Sequence, residues 1–290
     1  MKTTKTIRTI KYWSLVLAGM AFAADVSAAC SRESLQELTD NYVQAQTTGN
    51  AAVLPMAARA YYGENDRPVD ITEGMLSQAI SADFTRSFFD TTLCATFTEF
   101  VAATHEHPYV IHTRMEANDD NEVTVMESVV TDEGDWVFGA DVYLSRTQEE
   151  DWGVIPEDQR DMRGVLKAAA EAYINNWGDP FLPVPHATPC SRLEGRIYTD
   201  TRNPGGQTCT MGAFPQPIET GSRRFVIDET IGAVSIFHNF SWLDAGLGPY
   251  HPGTPASQQF RVESGMNRYI HEVTVCTTFD CSRGGPPSGE

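Results

Sequence analysis

Two histidines lie in similar surroundings: His105 in Val101-Ala-Ala-Thr-His-Glu106 and His238 in Val234-Ser-Ile-Phe-His-Asn239. A half-buried neutral imidazole gives or takes a proton near pH 7, which suits elimination and isomerisation. A second group is His112, Arg114 and Glu116. Strand alternation puts these three on one face, opposite Ile111, Thr113 and Met115. An acid–base group, a fixed cation and a carboxylate on one wall could bind and polarise a carbonyl or carboxylate. Arg261 and Glu263 repeat the last two further along, and Tyr269 and His271 alternate onto one face of another predicted strand. Trp242, with Asp244, Tyr250 and His251, flanks a Gly/Pro-rich stretch where aromatic rings could stack on a sugar or an aromatic ring.

The expected catalytic residues are therefore His105, His112, Arg114, Glu116 and His238. Arg261, Glu263, Tyr269, His271 and Trp242 are expected to bind substrate. Each also has a structural reading, as a hydrogen-bonded core histidine, a strand-face ion pair or ordinary aromatic packing. His105-Glu106-His107 points two imidazoles to one side, but no third ligand stands at metal spacing, so neither metal nor cofactor is expected. G-x-S-x-G, G-x-G-x-x-G, Walker and H-E-x-x-H motifs are absent, which lowers serine-hydrolase, hydride-transfer, nucleotide and zinc-protease readings.

The elements that must position these residues occur twice. Leu35–Tyr42 and Leu166–Tyr173 superpose at an offset of 131, with helical i, i+3, i+7 spacing. Leu54-Pro55 and Leu182-Pro183 follow them. The two histidine segments align at an offset of 133, and Thr113–Val125 aligns with Phe260–Glu272 at 147. The step between these offsets places a 14-residue insertion in the second copy around Gly246–Pro255, a loop over a pocket mouth. Alternation predicts strands at Tyr109–Glu116, Glu122–Thr131, Ala233–Trp242, Gln259–Ser264 and Tyr269–Thr277, with turns at Asn118–Asn121 and Ser264–Asn267. Helices first and an antiparallel meander last make an α+β unit.

Lys2, Lys5, Arg8 and Lys11 precede the apolar Tyr12–Ala24 stretch, which is too short to span a bilayer, and Val26-Ser27-Ala28 fits a cleavage site. Residues 1–28 read as a signal peptide, so a secreted or periplasmic product with no membrane segment after its removal is expected. The six cysteines fit an oxidising compartment and allow 15 pairings. Cys30–Cys94, Cys190–Cys209 and Cys276–Cys281 are preferred, each pair lying within one half. The formal charge is −18, or −21 without residues 1–28, and no basic cluster occurs beyond residue 11. Such a surface excludes a dedicated nucleic-acid binder and favours a small neutral or apolar partner.

The L-x6-Y…LP pattern, the R-x-E strand pair, its turn and the I/V-rich final strand resemble the SnoaL-like, nuclear-transport-factor-2-like superfamily. The second copy adds Cys190-Ser-Arg-Leu-Glu-Gly195, Cys209, Arg223-Arg-Phe-Val-Ile-Asp-Glu229 and Gly232-Ala-Val234. These resemble secreted fungal and bacterial repeats of unknown function, and the resemblance spans about residues 30–280. It implies two tandem cone-shaped domains, each a curved antiparallel sheet wrapped around helices, packed as an internal pseudo-dimer. The expected division is 29–150 and 161–281, with a linker at 151–160 and a tail at 282–290. The superfamily implies a cofactor-free lyase or isomerase acting in a cone pocket, or a non-catalytic ligand-binding or assembly module. Fold alone does not choose between them.

Overall fold

The computed structural model of the protein describes residues 30–212, 217–218, 220–240 and 253–282. The expected signal peptide, residues 283–290 of the expected tail, and Trp242, Asp244, Tyr250 and His251 lie outside them. Ser31 starts α1 (Arg32–Thr48) by accepting the Ser34 N–H at 3.1 Å. Gly49 ends it at φ 64°, where a Cβ would meet the Ser77 carbonyl oxygen at 2.9 Å. Then come β1 (Met56–Glu64), β2 (Arg67–Pro68), β3 (Phe84–Asp90), β4 (Ala95–Ala102), β5 (Tyr109–Ala117) and β6 (Val123–Thr131). Next is α2 (Ala140–Glu149), which the sequence reading did not anticipate although Ala140, Tyr143 and Thr147 form its buried stripe.

The second run repeats the first: α3 (Arg163–Asn176), β7 (His186–Glu194), β8 (Ile197–Tyr198), β9 (Thr220–Asp228), β10 (Ala233–Phe240), β11 (Thr254–Glu263) and β12 (Met266–Thr274). The sheets are ordered β2-β1-β6-β5-β4-β3 and β8-β7-β12-β11-β10-β9. The protein is thus α+β, with two similar six-stranded sheets. Both are mixed rather than wholly antiparallel, because the first long strand of each run pairs in parallel with the last.

Ladder register corrects the expected repeat alignment. The β3–β4 and β9–β10 hairpins close on the pairs Asp90↔Ala95 and Asp228↔Ala233. That register makes Phe100 the counterpart of His238. His105 lies past the end of β4, so the two histidines are not equivalent. Likewise Ala95↔Glu116 and Ala233↔Arg261 set Arg261 beside Glu116 in the alignment, Gln259 beside Arg114 and Ser257 beside His112. A four-residue turn between paired strands fixes register, whereas a short apolar match with one histidine does not.

Apolar burial forms three layers. Leu35, Leu38 and Tyr42 of α1 pack on Phe100, Ile111 and Met126, and Leu166, Ala170, Tyr173 and Ile174 of α3 on Ile236, Phe260 and Ile270. The opposite faces of the two sheets meet through Phe88, Phe97, Phe237, Tyr269 and Val273, with Tyr143 of α2 and Trp152. Each large side chain buried here stabilises the fold by about 1.5–3 kcal/mol. Reciprocal ion pairs lock the halves together: Arg163, the first residue of α3, reaches Asp90 at 2.7 Å, and Arg32, the first residue of α1, reaches Asp228 at 2.8 Å. Cystines join Cys30–Cys94, Cys190–Cys209 and Cys276–Cys281, the expected pairs. No helix among the described residues is long and apolar enough to cross a membrane.

Candidate functional site

Polar side chains accumulate where an apolar core would be expected, on the α3 face of the second sheet. Alternation along β10, β11 and β12 turns His238, Thr254, Gln258 and Glu272 towards the same side as Ile236, Phe260 and Ile270. One row across the sheet is Ile236, Gln258, Glu272 and Glu194, and the next holds His238, Ala256 and Thr274. All four named polar residues are buried.

Glu272 is well held: Gln258 Nε2 donates to one oxygen at 2.9 Å and Thr274 Oγ1 to the other at 3.0 Å. Burial and the neighbouring Glu194 carboxylate nevertheless push its pKa up to about 8. Glu194 accepts the Trp136 indole N–H at 2.5 Å, and Arg192 donates to the Tyr173 hydroxyl at 3.2 Å. Both ring nitrogens of His238, Thr254 Oγ1 and Gln258 Oε1 have no hydrogen-bond partner among the described residues. Each such buried group costs about 1–3 kcal/mol if left unsatisfied. A cluster on one face asks for a molecule that donates and accepts there. Burial and the nearby Arg223 and Arg224 keep His238 neutral, with its pKa pushed down to about 3.

The first sheet shows what this face looks like when closed. By register, Phe100 replaces His238, Thr113 replaces Gln258, Ser128 replaces Glu272 and Glu64 replaces Glu194. Thr113 Oγ1 donates to Tyr42 Oη at 2.8 Å and shares a 2.9 Å bond with Ser128 Oγ. Glu64 accepts from the Met75 N–H and the Tyr62 hydroxyl. Short hydroxyls satisfy one another there, and a phenyl ring fills the imidazole's place.

Beside α3 lies a cavity of about 400 Å³ lined by Tyr173, Asn176, Val184, His186, Gln207 and Met211. Edge-to-face rings run inward from it, with Tyr173 to Trp177 at 5.4 Å and Trp177 to His238 at 6.1 Å. His186, Cys190 and Cys209 also cluster there, but the two sulfurs are joined as cystine and offer no thiolate to a metal.

The sequence-derived residues scatter. His105 sits in the loop after β4, with Nδ1 at 2.9 Å from the His107 carbonyl, rather than on a strand. Arg114 pairs with Glu127 at 2.9 Å and with Glu116. Arg261 binds Glu263 at 2.8 Å and the Gly153 and Ile231 carbonyls, tying the segment between the sheets in place. These four charged residues hold strands and linker together. Of the expected catalytic set, His238 turns towards the face of the second sheet that α3 covers.

His112, Tyr269 and His271 come together elsewhere, because their strand faces meet between the sheets. His112 bonds Ser257 Oγ at 3.0 Å and Tyr143 Oη at 3.2 Å, and burial pushes its pKa down to about 3. His271 lies 2.6 Å from Glu150 and 3.3 Å from Glu99. Burial opposes its charge, but Glu150 and Glu99 outweigh it and raise its pKa. Glu99 is itself buried; Arg86, 2.6 Å away, and His271 hold its carboxyl well below the usual range. Arg86 also lies over the Trp152 ring at 4.2 Å. Tyr269 stacks on Trp152 at 5.9 Å.

Sequence reasoning missed Gln258, Glu272, Thr254, Glu99 and Glu150. Glu272 did carry a signal, being polar within the predicted strand Tyr269–Thr277, whereas Gln258 fell just before the predicted strand Gln259–Ser264 because β11 starts earlier, at Thr254. Glu150 sits just beyond an unanticipated helix and carried none.

Residues 159–274, the second run of elements, match a family described as a domain of unknown function (DUF8021). No curated protein matches the sequence significantly. The family match thus coincides with the half that carries the unsatisfied polar face.

Proposed function

We propose that the protein is a secreted pair of SnoaL-like cones packed as an internal pseudo-dimer, in which the second cone binds a small neutral molecule and acts on it without a cofactor. The observation that carries this reading is the row of partnerless buried polar atoms on His238, Thr254 and Gln258. In the first unit the same positions are satisfied or apolar, so that unit is the non-catalytic module.

Glu272, protonated at neutral pH, is the general acid. It gives its proton to a leaving hydroxyl or to a carbonyl oxygen of the bound molecule. As Glu272 gives up its proton, its new negative charge on the same face offsets the burial and arginines that keep His238 neutral, so His238 accepts the proton released from the adjacent carbon, and Gln258 Oε1 and Thr254 Oγ1 orient the substrate. Elimination, dehydration and isomerisation all fit this pair of roles.

Screening the mature chain against small hydroxylated and aromatic compounds by ligand-observed NMR in D₂O tests both halves of the reading. Compounds should bind, and at least one should exchange a C–H proton or lose water. His238→Phe, which installs the first unit's residue, should abolish binding while leaving the fold intact. Glu272→Gln should keep binding and lower turnover by about 10²–10⁴-fold. Binding untouched by His238→Phe would overturn the site, and binding without any turnover would leave a ligand-binding module.

The same carboxyl predicts a pH dependence of stability. Its pKa is raised on folding from 4.5 to about 8, so the folded state holds the proton more tightly. Its stabilising contribution is full below pH ~4.5 and is lost as pH rises towards 8. Urea unfolding of Glu272→Gln should show a shallower decline than the parent over that window.

A further inference from the structure

A second opening lies away from the α3 face, where α2 meets the second sheet. It encloses about 410 Å³ and is lined by Arg146, Glu150, Ser191, Tyr198, Arg268 and Tyr269, among others. That volume falls in the range of small-molecule sites, about 300–1,000 Å³.

Glu150 is its distinguishing residue. The side chain is 1% exposed, and Oε2 is fully engaged, at 2.6 Å from His271 Nε2 and 3.0 Å from the Trp152 indole N–H. Oε1 has no hydrogen-bond partner among the described residues. A buried carboxylate oxygen without a donor is the acceptor half of an incomplete contact. Around it stand groups already fixed in place. Arg146 lies over the Tyr198 ring at 5.3 Å and Arg268 over the Tyr269 ring at 4.3 Å. Tyr198 and Ser191 share a hydroxyl bond at 3.2 Å.

Charge selects the ligand. Glu149, Glu150 and Asp200 line the opening against Arg146 and Arg268, and His271 backs Glu150 from inside. The signs nearly cancel, so neither a strong anion nor a strong cation is favoured. Donors and acceptors alternate, and Pro189, Pro204 and the tyrosine rings supply apolar faces. A molecule with several hydroxyls and apolar C–H faces satisfies both demands.

We propose that this opening is a binding site for a neutral polyhydroxylated ligand of monosaccharide size, with one ligand hydroxyl donating to Glu150 Oε1. The site is separate from the His238 face and does not rest on the function proposed for it.

The test uses the mature chain and a panel of neutral hexoses and pentoses, with glucosamine and glucuronate as charged comparisons, read by saturation-transfer NMR and calorimetry. At least one neutral sugar should bind, and both charged sugars should bind at least 10-fold more weakly. Glu150→Gln could unsettle the His271 cluster, so the deciding variants lie on the rim. Thr201→Trp, at an exposed lining position, and Arg268→Ala should each weaken binding at least 10-fold with an unchanged melting temperature. His238→Phe should leave sugar binding unaltered. The proposal is overturned if no neutral sugar binds, if a charged sugar binds equally well, or if Thr201→Trp and Arg268→Ala leave binding unchanged.

Discussion

His271→Ala should destabilise the protein by about 3–5 kcal/mol, the cost of leaving buried charges without their partner. The imidazole is fully buried between Glu99 and Glu150, at 3.3 and 2.6 Å. Removing it leaves Glu99 with Arg86 as its charged partner beside the neutral donors Gln259 and Thr147, and Glu150 with the Trp152 indole. It also opens a space against Tyr143 and Trp152, whose rings pack at 5.7 and 5.5 Å. Because the folded pKa of His271 is raised above 6.5, its contribution is complete below that pH and fades as pH rises through the folded value. Glu99 acts in the opposite sense: its lowered pKa stabilises above pH ~4.5, and this is lost on acidification. The loss on mutation should therefore be greatest in mildly acidic solution, between these limits. Urea unfolding of parent and mutant at pH 5.5 and 8.5 checks it. An equal loss at both values would show that packing, not charge, dominates.

Asp90→Ala should cost a similar amount, about 3–5 kcal/mol, for a different reason. The Asp90 carboxylate is fully buried and accepts both terminal nitrogens of Arg163 at 2.7 Å. It also accepts the Ile227 N–H at 2.9 Å and the Leu93 N–H at 3.0 Å. One carboxylate thus closes its own hairpin and holds the start of α3 and strand β9 from the other half. Arg32→Ala should cost less, about 0.5–1.5 kcal/mol, because its single 2.8 Å contact with Asp228 is part-exposed. A double-mutant cycle on Asp90 and Arg163 should return a coupling of at least about 1.5 kcal/mol. A coupling near zero would mean that the backbone contacts of Asp90, rather than the ion pair, join the halves.

The repeat, the helices α1 and α3 and the strand faces were legible because they depend on local periodicity, whereas α2 was missed. Leu35, Leu38 and Tyr42 recur at helical spacing, and His112, Arg114 and Glu116 do share one strand face. The cystine pairs were legible because each closes within one half. What periodicity does not reveal is which neighbour a face meets. The His112 face was taken for a pocket wall, yet it packs against the second sheet, where Ser257 and Tyr143 occupy the imidazole. Exact repeat register was equally out of reach, since a one-residue slip reverses every side chain and only the closed hairpins Asp90–Ala95 and Asp228–Ala233 fix it.

Composition and local pattern, then, determined an α+β chain of two similar halves, acidic and cross-linked by cystine. Tertiary structure alone decided which polar residues share a site. Glu99 and His271 are 172 residues apart and meet only because two sheets pack face to face. His238 became distinct from its counterpart Phe100 only once the strands were paired. Long-range contacts of this kind are set by the packing of whole layers, and no short window of sequence contains both partners.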